Sequence, residues 1–118
     1  AYPWGNELGS NNANCAGCGS QWDGKMTAPV GRFPANAYGL HEMLGNVWEW
    51  VEDGYAPYPN QPTDASALAV DKSELRVLRG GSWDFSPDSL RVSDRYGFHP
   101  DFPYNDVGFR VLCLSPIE

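Results

Sequence analysis

The chain has 118 residues, 42% hydrophobic and 14% aromatic, and carries a formal charge of −7 from 8 Lys and Arg against 15 Asp and Glu. The length suits one domain with its own core, no apolar run reaches the roughly 18 residues of a spanning helix, and the acidic balance argues against nucleic acid, which needs a basic face. With 13 Gly and 10 Pro the chain is too rich in helix breakers for a bundle, while its rings supply too much burial for disorder, so short strands and long anchored loops are expected.

Residues 1–30 hold many Gly and Asn without periodicity and predict a long structured loop. The opening Ala1-Tyr2-Pro3-Trp4 has neither the charged n-region nor the apolar h-region of a signal peptide, and reads as the interior of a domain. Cys15, Cys18 and Cys113 are too few for a disulfide scaffold. The Cys15-x-x-Cys18 pair fits a local disulfide, two thiols or half a zinc site. Zinc would need further ligands from Cys113, His41 and His99, so a local structural pair is preferred. Leu40 to Leu44 could form one helical turn. Val47-Trp48-Glu49-Trp50-Val51 mixes large apolar and acidic residues as a half-buried strand does. Residues 54–68 predict a Pro-rich loop, and 75–83 a strand broken at Gly80-Gly81. Residues 84–106 show no clean period and predict a surface loop system with a short central segment, and 107–114 predict a closing strand.

Gly45 and Asn46 tolerate backbone dihedrals that turn carbonyls to one side, and Glu49 adds a carboxylate. Carbonyls with one carboxylate are the hard oxygens calcium prefers. The alternative is a tight turn with Glu49 paired to Arg79 or Arg110. Trp48 and Trp50 read as core and strand anchors, not as a binding box.

Four strings occur in order: Tyr2-Pro3-Trp4-Gly5, then Gly39-Leu40 leading to Gly45-Asn46-Val47-Trp48-Glu49-Trp50, then Arg79-Gly80-Gly81-Ser82-Trp83, then Gly108-Phe109-Arg110-Val111. Together they resemble the formylglycine-generating sulfatase-modifying family across nearly the whole chain. The resemblance implies an α+β fold, a C-type-lectin-like domain of the formylglycine-generating type, with residues 1–118 as the C-terminal part of one such domain. An N-terminal half would precede it, and that remainder would be one partner. The resemblance also implies calcium held by the carbonyls of Leu44, Gly45 and Val47 and the side chain of Glu49. It implies a second calcium site from Asp23, Asn14 and the carbonyls of Cys15 and Lys25, in a loop shorter here than in the family's enzymes.

The family's oxidase activity uses two cysteines after Gly-Gly-Ser that bind copper(I), which requires soft thiolates. By position Phe85 and Leu90 stand there instead, so no copper is expected and catalysis is disfavoured. An oxidase or related metalloenzyme domain lacking the cysteine pair is the alternative reading.

Residues 84–106 contain no Trp, Met, Lys, Gln or Glu, although the chain has five Trp and two Met. These five types share one property: none has a codon ending in C. Randomising the adenines of AAC codons would give such a segment. It resembles the variable region of proteins served by diversity-generating retroelements, many of which display that region on a lectin-type fold ending in Gly-Phe-Arg-Val. Aromatic, small and polar residues on a rigid scaffold also suit a paratope. The preferred function is therefore binding of a protein or other surface ligand. Asp84, Phe85, Ser86, Asp88, Ser93, Asp94, Tyr96, Phe98, His99, Phe102, Tyr104 and Asp106 are the candidate contacts. Trp83, Leu90, Arg91 and Arg95 should be buried anchors, while Phe85, Tyr96, Phe98, His99, Phe102 and Tyr104 should form one exposed face. Arg79, Arg91, Arg95 and Arg110 should support it through bonds to carbonyls and carboxylates.

Overall fold

Four short strands carry the fold: β1 (Trp48–Gly54), β2 (Arg76–Arg79), β3 (Arg95–Phe98) and β4 (Val107–Gly108). The computed structural model describes residues 2–58, 64, 66–69 and 74–113. The strands form one mixed sheet in the order β3-β2-β1-β4. β1 and β2 pair antiparallel, as do β2 and β3, whereas β4 runs parallel to β1. A single 3-10 turn, Pro87–Leu90, is the only helical element among the described residues. The α+β expectation therefore narrows to a small mixed sheet in a frame of coil.

The helical turn expected at Leu40–Leu44 does not form. Glu42 takes a φ of 48°, outside the right-handed helical region. The carbonyls of His41 and Glu42 instead accept bonds from Arg110 at 3.0 and 2.9 Å. Strand β1 follows because alternating aromatic, β-branched and acidic residues suit a pleated, half-buried surface. In β2, Val77 and Leu78 are both 1% exposed, which places this short strand at the centre of the core. The sheet's closing strand is shorter than the expected 107–114. Parallel pairing stops after Glu49 meets Gly108, and Arg110 turns toward Glu49. Phe109, Val111 and Leu112 are then left exposed, and residue 114 lies outside the described residues.

The first third of the chain is held without strands. Cys15 and Cys18 form a disulfide, with sulfurs 2.02 Å apart. Around it Ala13, Leu44 and Leu90 close a buried cluster, with Tyr2 and Leu8 packed against it. Asn14 is fully buried yet satisfied, as a buried amide must be. Its Nδ2 donates to the Met26 carbonyl at 2.9 Å and its Oδ1 accepts from Ser20 Oγ at 3.1 Å. Its own carbonyl accepts the Asn46 amide at 2.8 Å. The Asn46 side chain in turn clamps both polar groups of Ala28. These buried amides, rather than a ladder, fasten the long loop to the turn before β1.

Candidate recognition face

Strand β3 separates two environments by the period of two. On one side Arg95 lays its guanidinium over the Tyr58 ring, 3.8 Å from the centroid, and 5.4 Å from that of Tyr55. Gly97 makes this close approach feasible, because a Cβ there would meet the Tyr55 ring at 2.8 Å. On the other side stand Tyr96 and Phe98, stacked 5.5 Å apart at an interplanar angle of 26°. Tyr55 and Tyr58 thus occupy the back of β3, and the front keeps its rings for the surface.

That front continues as a connected set of five rings. Trp48, only 2% exposed, is the floor. Phe85 meets it edge-on at 5.2 Å and Tyr96 lies tilted on it at 5.8 Å. Phe98 meets Tyr104 edge-on at 4.5 Å. Edge-to-face and offset pairs are the arrangements that ring quadrupoles favour. The rings line a cavity of about 300 Å3 together with Leu78, Asp84, Asn105, Asp106 and Val107. Tyr96, Phe102 and Tyr104 are 43%, 57% and 41% exposed, and His99 is exposed with its ring edge-on to Phe102 at 6.0 Å. Phe85 and Phe98 are half-buried. None of the six residues expected on an exposed face is buried.

Asp106 sits deeper than a surface contact. It is 9% exposed, and its Oδ2 accepts from the fully buried Ser82 Oγ at 2.8 Å. Ser82 Oγ also accepts the Asp84 amide at 3.3 Å, and the Asp106 carbonyl accepts the Trp48 amide at 2.7 Å. These bonds position two carboxylates, Asp84 at the rim and Asp106 below it. Ser86 and Asp88 are exposed beside the 3-10 turn. Ser93 lends its carbonyl to Tyr58 Oη at 3.2 Å. Burial pushes the half-buried Asp94 carboxyl above its usual range, against the opposing pull of the Arg95 amide and the Arg79 guanidinium.

The anchors differ from expectation in three places: Arg91 is exposed, and Trp83 and Arg95 are half-buried. Leu90 is fully buried against the disulfide, but Arg91 is exposed. The 3-10 turn that drives Leu90 inward points the next side chain outward, where Arg91 meets Asp88 at 3.8 Å, a surface pair of little energetic weight. Trp83 is half-buried, and its Nε1 finds no hydrogen-bond partner among the described residues. Arg79 does bond carbonyls, those of Val92 at 2.9 Å and Asp94 at 3.4 Å, whereas Arg95 relies on tyrosine rings. Trp48, Leu78, Asn105 and Val107 line the cavity but are absent from the sequence-derived contacts. For Trp48 the missing signal was cross-strand register, which brings β4 and the residues before it beside the ring.

The implied metal sites fare differently. At the start of β1, Glu49 Oε1 takes both Arg110 Nε at 2.7 Å and Nη2 at 2.6 Å. Gly45, Asn46, Val47 and Glu49 share a cavity of about 450 Å3 with Glu42 and Arg110. The carbonyls of Leu44, Gly45 and Val47 accept no backbone hydrogen bond among the described residues. In the second set the side-chain oxygens are bonded within the chain. Asp23 Oδ2 accepts the Gly19 amide at 2.9 Å and Oδ1 the Gly17 amide at 2.6 Å, which hold its carboxyl below the usual range. Asn14 is bonded to Ser20 and Met26, and Cys15 is held in the disulfide. Among the described residues no three His, Cys, Asp or Glu side chains cluster to hold a metal. Phe85 and Leu90 offer copper(I) no donor.

Three comparisons bear on this geometry. Mouse inactive C-alpha-formylglycine-generating enzyme 2 is 34% identical over 97% of this chain and 36% of that protein. Hercynine oxygenase of Mycolicibacterium smegmatis is 38% identical over 84% of this chain and 24% of that protein. The solved structure of Treponema denticola variable protein 1 superposes with a TM-score of 0.69 and 33% identity, over 84% of this chain and 34% of that one. The chain thus spans about a third of these relatives or less. The profile of the sulfatase-modifying factor enzyme 1-like domain matches residues 1–114. The chain belongs to the sulfatase-modifying factor enzyme 1-like domain family.

Proposed function

We propose that this chain is a non-catalytic display domain, presenting a variable recognition surface from residues 84–106 on a C-type-lectin-like scaffold. One observation carries the reading. Five rings and a histidine from one segment stand exposed or half-exposed, and four of the rings, Phe85, Tyr96, Phe98 and Tyr104, line a cavity floored by the core residue Trp48. Contiguous exposed apolar surface marks interaction sites, and rings give large contact area for little conformational entropy. The rest of the segment is tied down through Leu90, Asp106 and β3, so side chains between these points can change without moving the frame. The variable protein of Treponema denticola and the mouse relative whose name calls it inactive support the reading; the mycobacterial oxygenase marks the enzymatic alternative.

The test is the gene in sibling isolates. Substitutions should concentrate in codons 84–106, at the first two bases, with the third-position C retained, beside a reverse transcriptase and a near-copy of the segment. Uniform variation without such a neighbour, or copper-dependent oxidation of a cysteine peptide by the whole protein, would overturn the proposal.

We also propose calcium at the Leu44, Gly45, Val47 and Glu49 turn, as a structural ion. Calcium at a hundredfold excess over its dissociation constant should stabilise the whole protein by about 2.7 kcal/mol. Thermal unfolding with calcium and with chelator reads this directly, and Glu49→Gln should shrink the difference. Identical curves in calcium and chelator would remove the site.

A further inference from the structure

We propose that the aromatic cavity receives one cationic side chain, lysine or arginine, presented by a protein ligand. The inference rests on the recognition reading above and names the chemistry that the site selects.

Three features converge on positive charge. First, the lining offers π-faces and edges from Trp48, Phe85, Tyr96, Phe98 and Tyr104. Ring faces attract an ammonium or guanidinium within about 6 Å, most strongly where water is excluded. Second, the charged groups of the lining are Asp84 and Asp106, with no Lys or Arg among them. Asp106 is held at depth by Ser82, so its carboxylate is oriented before a ligand arrives. Carboxylates beside aromatic walls reject an anionic ligand and favour a cation that can shed water against the rings. Third, the cavity of about 300 Å3 lies at the lower limit for small-molecule sites, which suits one long side chain rather than a whole drug-sized ligand. The same strand supplies an internal parallel. On the back of β3, Arg95 packs its guanidinium 3.8 Å over Tyr58. The front of the strand repeats the ring wall without its own cation. The chain's charge of −7 extends the preference, drawing a basic partner toward the face from a distance.

The experiment is selection of a random peptide library on the whole protein, with Phe102→Ala and Tyr104→Ala variants as counter-screens for the face. Peptides lost to the counter-screen should carry an excess of Lys or Arg at one fixed position. Replacing that residue by norleucine should weaken binding about tenfold, and Asp84→Asn should weaken the basic peptide several-fold but not its norleucine form. Asp84 is exposed, so this variant should fold. Face-dependent binders without a cationic excess, or with unchanged affinity as norleucine peptides, would overturn the cation assignment and leave the recognition reading standing. If no binder depends on the face, the recognition reading falls and the inference falls with it.

Discussion

Trp48→Ala should cost the protein about 3–5 kcal/mol of stability, the range for deleting a large buried ring. The indole is 2% exposed and supports Phe85 and Tyr96 directly. Its removal empties the floor beneath both rings, and neither can fill the space without leaving the other. Domains are stable by only about 5–15 kcal/mol, so the variant should unfold at markedly lower denaturant. Trp48→Phe should recover much of the loss by keeping a ring in place. A loss below about 1 kcal/mol for Trp48→Ala in equilibrium unfolding would mean that the indole is not the floor described above.

Gly45→Ala should be comparably severe for a different reason. Gly45 takes a φ of +79°, and a Cβ there would come 2.5 Å from the Asn14 carbonyl oxygen and 3.1 Å from its nitrogen. Neither side can yield. Asn14 is fully buried and bonded to Met26, Ser20 and Asn46, and the Gly45 amide donates to the Gly80 carbonyl at 2.6 Å. A loss of about 3 kcal/mol or more is expected, from left-handed strain plus backbone overlap. Gly31 provides the control. It has nearly the same φ, +78°, with nothing within 4 Å of its Cβ position, so Gly31→Ala should cost only about 1–2 kcal/mol. Equal losses in the two variants, measured by chemical denaturation, would show that strain alone acts at Gly45.

β1 and β2 were legible because Val47–Val51 and Leu75–Arg79 carry apolar and β-branched residues in strand-like order. β3 was not, since Arg-Tyr-Gly-Phe shows no clean alternation and its glycine lowers strand propensity. The reason for that glycine is the Tyr55 ring behind it, a contact across the chain that no local pattern records. The 3-10 turn was equally silent, and with it the outward direction of Arg91. In the site, the exposed rings could be anticipated from composition, because a segment with so many aromatics and so few aliphatics cannot bury all of them. The depth of Asp106 could not, since it depends on a bond to Ser82, 24 residues away. Of the alternatives at Glu49, pairing with Arg110 is present.

The parallel pairing of β4 on β1 has a kinetic consequence. Trp48 lies beside Val107, and Arg110 reaches back to His41, Glu42 and Glu49, so the central strand gains its last neighbour only when the far end of the chain arrives. Contacts so distant in sequence make for slow folding, because the loop must close before they reward it. The loop that must close includes residues 84–106. Any substituted version of that segment therefore passes through the same folding step before the sheet is complete. Versions that displace Leu90 or break the Ser82–Asp106 bond would stall with β1 open and its apolar residues exposed to aggregation or proteolysis. Substitutions in that segment are thus filtered first for closure of the sheet.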